Sequence, residues 1–419
     1  MSKKVLIITY YWPPAGGSGV QRWLYFVKYL RNFGVEPIVF TVDKKNYPIT
    51  DKSLVTQIPE KIEVIKQKIF EPGQTVSKNN SSGFLSKNPS FFQRFKNYIR
   101  ANFFIPDAKM FWIRPSTKKI INYIKKNPVD FIISTGPPHS VHLIAKKVKE
   151  KTGVKWLADF RDPWTEIDYF HHLPLTKKSI NKHLKLEKEV LENADIVTVI
   201  SKTMKLNYDK FNANVHVITN GYDDAVLSKI PDMDKSFTIT HIGLINSDRN
   251  PLMFWKVIAE IIEENEIFEQ KVQINLVGTI ADEVRNNIRE LELEKYVNYT
   301  QYIPNQSVAS FQMKSQVLLL LVNHVPSAKN IVTGKVYEYL RAKRPILAIA
   351  PIDGDLAEII DETQSGLVID FEDYEGLKKA ILIYFKHFLM GELNIESENI
   401  EKYHRKHLTE QLVNLINNN

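Results

Sequence analysis

Cysteine is absent from the 419 residues. That excludes a disulfide scaffold, thiolate zinc sites, iron–sulfur clusters and cysteine nucleophiles, and it fits a reducing compartment. Long hydrophobic runs are missing too. The longest candidate, VLLLLV at Val317–Val322, falls far short of the roughly 18–20 residues a spanning helix needs. The opening MSKKVLIITY has two lysines and an apolar stretch as a signal peptide would, but the stretch is short and runs into Pro13, Pro14 and a glycine loop without a cleavage site. It reads as a first buried strand. Hydrophobic residues at 43% and charged residues at 25% are ordinary for a globular chain. At roughly 100–200 residues per domain, the length implies two or three domains.

The formal net charge of +8 is unevenly placed. Lys61–Lys151 holds 18 Lys and Arg against 5 Asp and Glu, an excess of 13, so the remainder carries a net −5. A region of that sign attracts anionic membrane or nucleic acid. Within it, Phe91–Pro115 interleaves Phe91, Phe92, Phe95, Phe103, Phe104, Phe111 and Trp112 with Arg94, Lys96, Arg100, Lys109 and Arg114. On a helix Phe92, Phe95 and Ile99 share one face, which suits a membrane interface and equally suits a core-packing helix with a basic outer side. No nucleic-acid motif accompanies these aromatics, so nucleic acid is not expected as a partner.

Short apolar runs alternate with segments of helical period, the pattern of parallel α/β sheets. Strands are expected at Lys4–Tyr10, Pro37–Val42, Ile62–Gln67, Asp130–Thr135, Val154–Phe160, Asp195–Ile200 and Val215–Thr219. The alternation restarts at Phe237–Gly243, Lys271–Gly278, near Val297, Gln316–Val322, Arg344–Ala350 and Gly366–Asp370. The polar stretch Asn220–Asp234 marks the boundary, and Asn79–Ser90 reads as a mobile loop. The fold class is therefore α/β, two doubly wound Rossmann-like domains facing a central cleft, with ligands expected at the carboxyl ends of the strands.

Four segments carry candidate chemistry. In PPAGGSGVQR (Pro13–Arg22), glycines and a helix start suit an anion or a sugar, or merely a tight turn. It is neither a Walker loop nor a dinucleotide fingerprint. STGPPHSVH (Ser134–His142) places His139 at a strand's carboxyl end and His142 three residues on, with no carboxylate spaced to complete a metal site. In ADFRDPWTE (Ala158–Glu166), Arg161 and Asp162 either contact polar ligand groups or pair with each other. The second half adds Arg249 in HIGLINSDRNP and the Thr-Gly-Lys loop and Glu338 of TGKVYEYLRAKRPILAIA (Thr333–Ala350). A lysine and an arginine could converge on a diphosphate and a carboxylate could bind vicinal hydroxyls, or all three could be surface charges.

The order of glycine loop, TGPPHS, FRDPW, ADIVTVIS, TNGYD, HIGL…DRNP, the LVG strand and GKVYEYLRAKRPILA resembles the family-4 retaining glycosyltransferases of the GT-B fold. The closest likeness is to bacterial members that build surface polysaccharides or glycoprotein glycans. The resemblance implies an acceptor-side domain over 1–220, with a C-terminal helix in 400–419 packing back on it, and a nucleotide-sugar-binding domain over 221–399. It implies sugar transfer from a nucleotide-sugar to a glycan or lipid-linked acceptor with retention, without a metal or other cofactor, in the cytoplasm or at the inner face of the membrane. By position, Gly16, Gly17, Arg249, Gly334, Lys335 and Glu338 would bind the donor. His139, Asp162 and Asn330 would serve catalysis, with Arg161 and Arg22 on the acceptor side. Two departures stand out. Asn330 occupies the place of the first of two glutamates eight positions apart, and Gly243-Leu244 replaces a Gly-Arg pair. A nucleotide-sugar epimerase of the same fold and a non-catalytic nucleotide-sugar-binding protein remain the alternatives.

Overall fold

Near-continuous apolar runs of four to nine residues form strands because both faces of each sheet are covered by helices, which leaves no polar side to alternate with. The computed structural model describes residues 2–44, 47, 49–71, 90–167, 170–224, 231–301, 303 and 305–419. All of the expected Asn79–Ser90 loop except Ser90 lies outside them, as does part of the boundary at 225–230. The chain forms two compact units, Met1–Asn220 with Arg405–Asn419, and Gly221–His404.

The first unit contains strands β1 (Lys3–Thr9), β2 (Val35–Asp43), β3 (Glu63–Lys68), β4 (Phe131–Gly136), β5 (Lys155–Phe160), β6 (Ile196–Val199) and β7 (Val215–Val217). They lie parallel in the order β3-β2-β1-β4-β5-β6-β7. Its helices are α1 (Ser18–Leu30), α2 (Phe91–Phe103), α3 (Ile113–Lys126), α4 (Ser140–Thr152), α5 (Lys177–Asn193) and α6 (Lys202–Tyr208).

The second unit carries β8 (Phe237–Ile242), β9 (Val272–Val277), β10 (Val297–Thr300), β11 (Val317–Leu321), β12 (Ile346–Ile349) and β13 (Gly366–Ile369). Their order, also parallel, is β10-β9-β8-β11-β12-β13. Its helices are α7 (Leu252–Glu264), α8 (Glu266–Lys271), α9 (Asp282–Glu290), α10 (Asn305–Lys314), α11 (Lys335–Ala342), α12 (Asp355–Glu362) and α13 (Tyr374–Met390). The last helix, α14 (Arg405–Asn418), returns to the first unit, where Leu408, Leu412, Val413 and Ile416 join Val20, Leu24 and Val27 of α1 in one core.

Strand order reverses between β1 and β4 in one unit and between β8 and β11 in the other. A doubly wound sheet opens a crevice for ligands at each such switch. Both units are thus Rossmann-like, and the candidate residues fall on the loops and helices that follow β1, β4 and β5 in one unit and β8 and β11 in the other.

One buried carboxylate ties the first switch together. Asp159, at the end of β5, accepts from Arg22 Nε (3.2 Å) and Nη2 (2.8 Å), Trp23 Nε1 (2.7 Å), Thr135 Oγ1 (2.8 Å) and Thr198 Oγ1 (2.9 Å). Burial alone would raise its pKa, but the Arg22 charge and these bonds hold it below the usual carboxylate value. Arg22 also donates to the carbonyls of Ile218 (2.8 Å) and Thr219 (2.7 Å) and to Asn220 Oδ1 (3.3 Å). Asp159→Ala leaves that guanidinium buried beside uncompensated donors, a change that costs about 3–5 kcal/mol. Five of the six tryptophans lie in the first unit, so urea unfolding followed by fluorescence should report the loss directly. An unchanged transition midpoint would contradict this account.

Candidate functional site

In the second unit, β8 is followed by Gly243 with φ 139°. A β-carbon placed there would lie 2.6 Å from Nζ of Lys335 and 2.3 Å from its Cε, so glycine is what lets the lysine lie across the strand end. Lys335 opens α11 behind Gly334, which has no side chain to cap the helix, and the Thr333 hydroxyl accepts from the Lys335 amide only at 3.5 Å. The ammonium has no carboxylate within ion-pair distance among the described residues. Burial first, then the charge of Arg249, lowers its pKa to about 8, with Glu338 opposing. Arg249 is held by Nε to Asn323 Oδ1 (2.9 Å) and Nη1 to the Leu244 carbonyl (3.2 Å), and it lines a cavity of about 250 Å³ with Asn250, Leu321, His324 and Phe371.

Two mutually repelling cations beside a helix start suit an anion with several oxygens, as a phosphate has. One turn along α11, Glu338 accepts from Gln312 Nε2 through Oε2 (3.0 Å). Gln312 is fully buried and accepts from Arg341 Nη2 in turn (3.0 Å), so the carboxylate is oriented from behind and Oε1 is left to a ligand hydroxyl. Sequence reasoning passed over Gln312. A glutamine 26 residues from its partner leaves no mark on the hydrophobic pattern. Asn330 sits half-buried in a short 3-10 turn at Ala328–Asn330, on the loop leading to α11. Gly334 has open space around its Cα, and nothing there demands glycine.

In the first unit, the loop after β1 is stapled to Thr50 by an isolated bridge at Ala15. Gly16 donates its N–H to the Ile49 carbonyl (3.0 Å), and a β-carbon on it would meet Ile49 Cγ2 at 2.9 Å. Its expected phosphate contact is therefore corrected: the amide is engaged, and the residue shapes the turn. Gly17, with φ 94° and open space, precedes α1, whose start has no side-chain cap. Arg22 is corrected as well. Its five N–H groups all point to protein acceptors at Asp159 and residues 218–220, leaving none for an acceptor substrate.

Arg161 donates through Nε to Gly136 O (3.2 Å) and through Nη2 to Pro137 O, while Nη1 lies over Gly19, 3.0 Å from where a β-carbon would be. Asp162, half-buried beside it, favours the arginine's charge. Trp164 is fixed by Nε1 to His183 Nδ1 (3.0 Å), and Glu187 accepts the Trp164 amide (3.2 Å). His139 stacks on the Trp164 ring at 4.5 Å and 3°. Its Nδ1 is buried without a partner. His142 Nδ1 lies 2.8 Å from Ser134 Oγ, which also accepts from Trp156 Nε1 (2.8 Å). The start of α4 is closed by Asp107, which accepts from the Ser140 amide (2.8 Å) and hydroxyl (2.7 Å).

Residues 236–387 match the family model of glycosyl transferases group 1. No curated protein matches the sequence. Among solved structures, the chain is similar to sucrose-phosphate synthase from Thermosynechococcus elongatus (14% identity, TM-score 0.61, covering 99% of this chain and 98% of that one). It is similar to a mutant of S. aureus TarM in complex with Fondaparinux, alpha-GlcNAc-glycerol and UDP (14%, 0.59, 99% and 100%). A third is WaaG, a glycosyltransferase involved in lipopolysaccharide biosynthesis (14%, 0.58, 99% and 100%). The fold is that of the GT-B glycosyltransferases, two Rossmann-like domains, and the second carries the group 1 match.

The histidines give this architecture an acid sensitivity. Burial, then like charges nearby, holds His139 well below its usual 6.5; burial lowers His142 and His241 to about 3 and His183 to about 4. Each is neutral when folded and takes a proton more readily when unfolded. Their stabilisation is complete above pH 6.5 and is lost as pH falls towards 3–4. Between pH 6.5 and 5, unfolding free energy should drop by up to about 1.4 kcal/mol per pH unit for each histidine. Denaturant titrations at stepped pH measure that slope, and a flat profile would contradict the neutral cluster.

Proposed function

We propose that this chain transfers a sugar from a nucleotide-sugar donor to an acceptor hydroxyl with retention of configuration, as a family-4 glycosyltransferase. The observation that carries the reading is Lys335, half-buried at the end of β8 with no carboxylate within ion-pair distance among the described residues and repelled by the Arg249 charge, one helical turn from a carboxylate oriented by Gln312. The two cations bind the diphosphate, and Glu338 binds the ribose hydroxyls. The bond from the anomeric carbon to the diphosphate oxygen breaks, and its electron pair stays on that oxygen. The acceptor oxygen bonds to the same face of the carbon and gives its proton to the departing oxygen. Products are a glycoside and a nucleoside diphosphate. Lys335, Arg249 and the start of α11 stabilise the developing charge, so the step requires neither metal nor other cofactor.

His139 contacts the donor sugar, with Asp162 and Asn330 at the reacting centre, Gly17 and Gly334 lining the donor path and Arg161 on the acceptor side. The acceptor is a glycan or lipid-linked glycan in surface-polysaccharide or glycan synthesis, and the protein works in the cytoplasm at the inner face of the membrane. The excess of 13 positive charges over Lys61–Lys151 supports that placement. Asn330, an amide where a carboxylate would stand, favours binding without turnover as a second reading.

A donor panel separates the readings. Acceptor-dependent release of nucleoside diphosphate supports transfer, acceptor-free isomerisation indicates an epimerase, and binding without turnover supports the second reading. Glu338→Ala should weaken nucleotide-sugar affinity by about 10–100-fold, the worth of a charge-assisted bond of about 1.5–3 kcal/mol, while circular dichroism stays unchanged. Unaltered affinity and turnover in the folded variant would remove Glu338 from the site. His139→Ala should lower kcat far more than affinity; equal losses would mark it as a packing residue.

Lys335 supplies a pH signature. Its charge is present below about pH 8 and is lost above it, so affinity for a nucleoside diphosphate should fall above that pH. Lys335→Met should abolish this alkaline limb in calorimetric titrations. Persistence of the limb in the variant would assign it elsewhere.

A further inference from the structure

Helix α2 is amphipathic yet buries none of its residues. At 100° per residue, Phe91, Phe92, Phe95, Tyr98, Ile99 and Phe103 fall within an arc of about 140°. All six are exposed, Phe91 by 87% and Phe103 by 66%. Lys96 borders the arc on one side, its ammonium 4.4 Å from the centre of the Phe92 ring, and Arg94 borders the other. The helix has no acidic residue. Its C-terminal end is anchored by Asn102, which donates to the Pro174 carbonyl (2.8 Å) and accepts from the Thr176 amide (2.8 Å) at the start of α5. The polar anchor leaves the apolar arc uncovered.

Aromatic contacts lead from α2 to a second feature. Phe104 meets Phe111 at 6.0 Å and Phe111 meets Phe70 at 5.9 Å, with Phe70 and Phe111 both exposed. Three residues beyond Phe111, Arg114 begins a trough of about 550 Å³ between α3 and α4. Arg114, Lys118 and Lys125 line it from α3, and Lys147 and Lys151 from α4. None of these five cations has an ion-pair partner among the described residues. Glu150, the single carboxylate in the lining, lies 3.6 Å from Lys146. Along α3 the stripe spans about 16 Å at 1.5 Å per residue.

We propose that α2, Phe111 and the α3–α4 trough form one docking surface for an anionic lipid bilayer. The aromatic arc enters the interface between headgroups and acyl chains, and the trough receives lipid phosphates. Charge complementarity favours this occupant over a second copy of the chain, because a two-fold contact centred on the trough would set its five cations against themselves. The proposal specifies the surface for the membrane placement given above and rests on it.

The test uses the full chain and sedimentation with vesicles of phosphatidylcholine alone or with about one third phosphatidylglycerol. Binding should require phosphatidylglycerol and weaken as salt is raised. Phe92→Ser/Phe95→Ser and Lys118→Glu/Lys125→Glu/Lys151→Glu should each reduce the bound fraction by about tenfold or more, with circular dichroism and donor affinity unchanged. If the unsubstituted chain binds but neither variant weakens it, this surface is wrong and the membrane placement stands. If the unsubstituted chain binds neither vesicle at low salt, both fail. Light scattering that shows an oligomer dissolved by the phenylalanine substitutions would overturn the proposal in favour of a protein contact.

Discussion

The first unit depends on a carboxylate that cannot be solvated. Asp159 lies wholly buried at the carboxyl end of the central sheet, and its charge is tolerable only because Arg22, Trp23 and two threonines from neighbouring strands all donate to it. Satisfying it fixes α1 over the sheet, sets β4, β5 and β6 in register with one another, and uses Arg22 to bind residues 218–220. Loops that differ in sequence and purpose are positioned from this one point: the glycine turn before α1, the proline loop after β4 and the tryptophan loop after β5.

The units treat their cations differently. In the first, Arg22 is fully matched and Arg161 gives two of its groups to carbonyl oxygens, while Asp107 already fills the start of α4. In the second, Lys335 lies half-buried beside the Arg249 charge with no carboxylate in ion-pair distance among the described residues, and the N-cap of α11 is a glycine with no side chain to give. Stabilising a fold and preparing a phosphate site impose opposite requirements on the same residue types. A satisfied arginine organises a scaffold, whereas an unsatisfied lysine with a lowered pKa keeps a place for a ligand.

Most of the architecture was legible because the strands are buried on both faces and so leave uninterrupted apolar runs that helical segments separate. Each expected strand corresponds to an observed one, with ends shifted by a residue or two where pairing, rather than hydrophobicity, sets the limit. The buried polar partners were not legible. Arg22 follows a glycine loop and reads as a ligand contact, but its carboxylate lies 137 residues away. Gly16 looked like half of a phosphate-binding pair until the chain at Ile49 and Asp51 occupied its open side. Helix α2 carried a period consistent with two environments, and the period alone could not say that the helix buries none of its residues.

The return of α14 to the first unit has a consequence for biosynthesis. The apolar side of α1 emerges early in translation, yet Leu408, Leu412, Val413 and Ile416 are made roughly 375 residues later, about 20–75 s at 5–20 residues per second. Throughout that interval the second unit can complete its own sheet while that side of α1 lacks its native cover. That side of α1 can meet its native partner only once α14 has left the ribosome.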